Sequence, residues 1–197
     1  MLARQRRGRG DRGATLVEAA LITPVLLLFV FAIFEFGFAF RDYLGVANTT
    51  RDGVREASVA GNVADADYRI LRSIRRASAA LPDGALDQII IFEASGPDGG
   101  VPAACLGGSQ TGVCNTYSPS DMDLDLSWFG CQTIGDGDPV NSPDRFWCPE
   151  DREVSVTAGL DFIGIYVSVH HEYITGFFGD SITFEDTTIL QVEPQDI

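Results

Sequence analysis

Residues 12–41 read RGATLVEAALITPVLLLFVFAIFEFGFAFR, an apolar run with an acid, Glu18, near its start. From Ala14 to Phe40 only Thr15, Glu18, Thr23, Pro24, Glu35 and Gly37 interrupt it. At about 1.5 Å of rise per residue, residues 14–40 would form a helix of roughly 40 Å, enough for the hydrocarbon core and one interface. A secretory signal peptide has a shorter apolar region followed by a small-residue cleavage site. Here the run closes instead on FEFGFAFR, with aromatics crowded at the far boundary as membrane interfaces favour. A single membrane-spanning helix is the expectation.

Charge orients it. Residues 1–13 carry Arg4, Arg6, Arg7, Arg9 and Arg12 against Asp11, whereas beyond Arg76 only Arg145 and Arg152 face a long series of acids within a net charge of -14. The positive-inside rule places the basic N-terminus in the cytoplasm and the acidic body outside. An acidic body has no face for a phosphate backbone, so nucleic-acid binding is excluded as a function class.

Cys105, Cys114, Cys131 and Cys148 all fall in the segment expected outside the membrane. An even count there reads as two disulfides with three possible connectivities. A four-thiolate zinc site is the alternative, but it would usually show close C-x2-4-C pairs, which are absent. CLGGSQTGVC is Gly-rich enough to bring its ends together, so Cys105 with Cys114 is the least demanding pairing. That leaves Cys131 with Cys148, enclosing Asp136, Asp138 and Asp144.

An ionised carboxylate well inside a bilayer costs roughly 2.5 kcal/mol or more, so Glu18 must lie near the interface or be paired. One reading puts it a turn inside the cytoplasmic boundary, solvated or paired with Arg12. The other starts from Gly13, which follows the basic leader and stands five residues before Glu18. Were the chain cut after Gly13, Ala14 would become a free ammonium about one helical turn from the carboxylate.

The residues Gly13, Val17, Glu18, Ala19, Ala20, Leu21, Pro24, the leucines at 26–28 and Glu35-Phe36-Gly37 resemble the N-terminus of the TadE-like pseudopilins of the Tad (Flp) pilus system. The resemblance implies cleavage between Gly13 and Ala14 by a prepilin peptidase of the aspartic type, the leader staying in the cytoplasm. Gly8 and Gly10 do not fit, because cuts after them would put Gly13 or Thr15 at the fifth position. It also implies residence in the cytoplasmic (inner) membrane, and as partners the peptidase, other pilins or pseudopilins and the pilus assembly platform. Glu18 would then pair with the new amino terminus during assembly. Family members often have Phe where this chain has Ala19. The resemblance is specific over residues 12–60 and weak in the closing YITGFFGDSITFEDTTILQVEPQ; residues 95–150 lie outside it.

The body reads as α+β. The first helix is expected to continue to about Gly61, with Tyr43, Val46, Ala47, Thr50, Val54 and Ala57 as a packing stripe. A second amphipathic helix begins near Asp65 as its cap and carries Ile70, Leu71, Ile74, Ala77 and Leu81 on one side. Its Arg69, Arg72, Arg75 and Arg76 are either a solvated face or a docking patch. Four strands follow, at 87–94, 153–158, 160–174 and 181–192, forming an antiparallel sheet. The block at 95–150 is too long for an ordinary connection. It is a stapled surface loop or an insertion with short strands of its own around Met122 to Phe129. The expected organisation is a leader (1–13), a span (14–40), extracytoplasmic helices and first strand (41–94), the insertion (95–150) and C-terminal strands (151–197).

Chemistry-bearing motifs are sparse. DMDLD (Asp121, Asp123, Asp125) opens like an EF-hand loop, but its sixth position is Leu126 and its twelfth Gln132. His170 and His171 are adjacent and would point to opposite faces of a strand, which disfavours a shared metal. No phosphate loop, HExxH or G-x-S-x-G is present. The expectation is a non-enzyme without cofactor or metal. Two functions stand: a TadE-like pseudopilin or minor pilin processed after Gly13, or an uncleaved single-pass membrane protein with a disulfide-stapled binding domain.

Overall fold

The computed structural model describes residues 11–131, 133–134, 138–139 and 142–195. The leader arginines Arg4, Arg6, Arg7 and Arg9, the Arg12 side chain and Asp136 lie outside the described residues.

The first helix, α1 (Asp11–Ala60), is continuous through both the apolar run and the stretch beyond Arg41. Most of its apolar half projects free of the body, with Leu16, Leu21, Phe29 and Ile33 all more than half exposed. Its second half packs along a stripe of small side chains that includes Val46, Ala47, Thr50, Val54 and Ala57. Tyr43, expected in that stripe, is instead half exposed, because Asp42 takes the inward position. Gly45 and Gly53 explain the close approach: an added methyl would sit 2.6 Å from Leu81 Cδ2 and 2.8 Å from Ile74 Cγ1 respectively. The helix ends at Gly61, whose φ of 57° is the left-handed conformation that glycine adopts without a Cβ penalty.

The second helix, α2 (Ala66–Ala77), buries Ile70, Leu71 and Ile74 against α1, each such side chain contributing about 1.5–3 kcal/mol of transfer free energy. Asp65 stands at its N-cap position, but its side chain makes no capping bond. Leu81 lies beyond the helix, past a 3-10 turn at Ser78–Ala80.

The main sheet is antiparallel and four-stranded, in the order β2-β1-β5-β6. Its members are β1 (Leu86–Ala94), β2 (Cys114–Tyr117), β5 (Phe162–Glu172) and β6 (Ser181–Gln191). A separate two-residue pair, β3 (Thr133–Ile134) with β4 (Asp138–Pro139), lies in the insertion. One face of the main sheet, with Ile89, Ile91, Ile163, Ile165, Val167 and Val169, packs on α1 and α2. The other, with Ile90, Phe92 and Tyr166, is covered by Cys105 and Cys114 of the insertion, where a short helix, α3 (Ala103–Leu106), begins the cover. Both faces are therefore dry, which is why β1 reads as a run of consecutive β-branched residues rather than an alternation.

Two expectations are corrected. Residues 153–158 form turns, not a strand: Glu153 Oε1 accepts the Ser155 N–H, the Asp161 carboxylate accepts the Glu153 N–H, and the Ser155 carbonyl accepts the Gly159 N–H. These local bonds replace a ladder, and Val156 is left 69% exposed. The fourth strand is β2, supplied by the insertion. Around Met122 to Phe129 the chain forms 3-10 turns (Pro119–Asp123 and Leu126–Trp128), not strands.

Candidate functional site

Gly13, Ala14 and Glu18 lie on the exposed, apolar half of α1, with the body far along the same helix. The residues from Gly13 onward form one helix long and apolar enough to cross a membrane, which points to a single-pass membrane protein. Pro24 sits inside it, and the preceding Thr23 donates its hydroxyl hydrogen to the Ala19 carbonyl one turn back at 2.6 Å. Glu18 is exposed and has no hydrogen bond or ion pair among the described residues.

The acid at the other end of the apolar run has a different fate. Glu35 is 1% exposed, and its carboxylate accepts the backbone N–H of Thr175 at 3.2 Å. Thr175 lies in the turn between β5 and β6, whose Phe178 packs on Phe36 with ring centroids 4.9 Å apart. Two turns further along α1, buried Asp42 meets His171 Nδ1 at 2.7 Å and Arg41 at 3.0 Å. His171 Nε2 is buried and has no partner among the described residues. Neighbouring His170 points away and meets Asp87 at 2.7 Å, so the two histidines diverge. Among the described residues no cluster of three or more metal-ligating side chains forms. In the DMDLD stretch, Asp121 closes a capping box with Ser118 and Asp123 pairs with Arg75 of α2, so two of its three carboxylates are engaged within the chain.

A third polar centre, missed in the sequence, joins α2 to the insertion. Asp67 is fully buried and accepts from Arg152, from Tyr117 Oη at 2.5 Å and from Asn115 Nδ2 at 2.9 Å. Arg152 stacks over the Trp147 ring at 4.5 Å. Burial first, then the Asp67 charge, pushes the Tyr117 phenol well above its ordinary value. This is a buried ion pair that joins α2 to the insertion; the Asp67 oxygens are satisfied, while Arg152 Nε and Nη1 have no partner among the described residues. No short motif marks it, since its members are up to 85 residues apart.

The α2 arginines are largely engaged within the chain: Arg69 pairs with Glu56, Arg72 lies over Tyr68, and Arg75 reaches Asp123. Cys105 is bonded to Cys114 and Cys131 to Cys148, the sequential pattern.

A family model described as TadE-like protein matches residues 13–55, and no curated protein or solved structure matches the chain. The matched segment begins at Gly13, contains Glu18 and Glu35, and ends inside the half of α1 that packs on the body. Over residues 13–55, then, the chain is similar to the TadE-like family.

Proposed function

We propose that the protein is a pseudopilin or minor pilin acting in assembly of a Tad/Flp-type pilus, cleaved after Gly13 by a prepilin peptidase. The observation that carries this reading is a TadE-like match that starts at Gly13, five residues before a carboxylate in an otherwise apolar helix. Cleavage there frees the Ala14 ammonium within a helical turn of Glu18, in a setting where only a paired charge is tolerated. The arginine leader stays in the cytoplasm, residues 14–40 span the inner membrane, and the remainder lies outside, where disulfides persist. No catalytic step is assigned to the chain; its partners are the peptidase, other pilins or pseudopilins and the assembly platform.

Glu18 acts in this reading by selecting and registering the partner amino terminus. A strain carrying Glu18→Gln is expected to process the chain normally and to lose piliation, seen by electron microscopy beside an immunoblot for the mature chain. Normal piliation with the variant would return Glu18 to a solvated interfacial acid.

A further inference from the structure

The β5–β6 hairpin runs along α1 toward the apolar half of the helix, and its contacts descend in order. Ser58 donates to the Gln191 carbonyl at 2.7 Å, Thr50 bonds Asp186, and Tyr43 packs edge-on to Phe184. Asp42 meets His171, and at the tip Phe36 meets Phe178 and Glu35 meets Thr175. The tip thus reaches Phe36, five residues on the apolar side of Arg41, or roughly 7 Å along the helix. From Tyr173 to Gly179 the tip has no charged residue, although Glu172 and Asp180 bracket it. Ile174 and Phe177 are 71% and 68% exposed, at the end of the hairpin nearest the apolar run.

We propose that this tip, residues 173–179, is a second membrane-contacting element that inserts into the phospholipid leaflet on the side of the body, beside the span. The inference rests on the reading of α1 as membrane-spanning. The occupant follows from continuity on one side of the tip, where Phe178 and Tyr173 meet the apolar face of α1, whereas Ile174 on the other side borders a cavity with Arg41, Asp42 and His170. Between the tip and α1 lies a groove of 770 Å³ lined by Phe29, Ile33, Phe36, Tyr173, Ile182 and Phe184, suited to acyl chains. Aromatic and aliphatic side chains at this depth match the membrane interface. Glu35, the one acid of α1 at the same level, is covered by the tip, and its carboxyl oxygen accepts the Thr175 N–H, so lipid does not face it. The bracketing acids sit where headgroups and water begin. Insertion is driven by apolar burial and not by attraction to anionic lipid, so it is insensitive to salt. Two contacts with the bilayer, helix and tip, fix the tilt and rotation of the body above the membrane.

The test uses the full chain reconstituted in vesicles of phosphatidylethanolamine and phosphatidylglycerol, with or without brominated acyl chains. Tryptophan is introduced singly by Phe177→Trp, Ile174→Trp, Phe29→Trp in the span and Val156→Trp on the distal body, and the emission of the parent chain is subtracted. The expected result is blue-shifted added emission from both tip variants, quenched at least about twofold by brominated lipid as for Phe29→Trp, while Val156→Trp is quenched only by aqueous acrylamide. Tip variants that behave like Val156→Trp overturn the proposal while leaving the span intact. Tip variants shielded from both quenchers show cover by a second copy of the chain, and also overturn it. An unquenched Phe29→Trp would overturn the spanning reading and the proposal with it.

Discussion

Glu35 and Thr175, 140 residues apart, are joined by one hydrogen bond from the Thr175 N–H to the Glu35 carboxylate, and that bond ties the β5–β6 turn to the end of the apolar run. Replacing Glu35 by Ala leaves a donor unpaired among apolar groups, at about 1–3 kcal/mol, whereas Glu35→Gln keeps an acceptor. Hydrogen exchange of the amides at 173–180 is expected to speed up in Glu35→Ala and to change little in Glu35→Gln. Equal protection in Glu35→Ala and the parent would show that the Phe36–Phe178 contact alone holds the turn.

Tyr117 gives the body an alkaline limit. Its phenol is raised in the folded chain by burial and by the Asp67 charge, so folding favours the protonated form. The stabilisation is fully present below the unfolded value, near pH 10, and is lost as pH rises from there toward the folded value. Urea unfolding of the full chain in detergent is expected to lose midpoint above about pH 10. Tyr117→Phe is expected to cost about 1 kcal/mol at neutral pH, since Asp67 keeps Arg152 and Asn115, and to flatten the alkaline decline. A decline of the same steepness in Tyr117→Phe would assign it to other groups.

The disulfides contribute differently to the two parts of the insertion. Cys105–Cys114 is buried and covers the outer face of β1 and β5, so replacing both cysteines by Ser is expected to loosen the sheet as well as the loop. Cys131–Cys148 holds the chain beside Trp147 and the Asp67 centre. Loop entropy assigns each bond roughly 3 kcal/mol. Non-reducing peptide mapping is expected to recover the two sequential pairs, and a Cys105 to Cys131 or Cys148 peptide would contradict them.

The α+β order was legible wherever the chain carries long stretches rich in apolar or β-branched residues: α1, β1, β5 and β6. β2 was not, because four residues show no periodicity and buried Asn115 finds its partners in Asp67 and the Trp147 backbone, 48 and 32 positions away. At 153–158 the alternation was real but local side-chain bonds from Glu153 and Asp161 overrode it. Asp67 reads as one acid among several near a helix start, and its pairing with Arg152 exists only in three dimensions. Gly13 and Glu18 were legible because their relation is a spacing along one helix. The processing and assembly proposed for them leave no trace in the packing of the isolated chain.

The central claim is that Gly13 ends a removable leader. Intact-mass measurement on the chain purified from membranes of a strain with an active prepilin peptidase tests it most directly. The account predicts a mature chain that begins at Ala14, and full retention of residues 1–13 in Gly13→Ala. A parent chain that keeps residues 1–13 beside an active peptidase would contradict it and leave an uncleaved single-pass protein with a stapled outer domain.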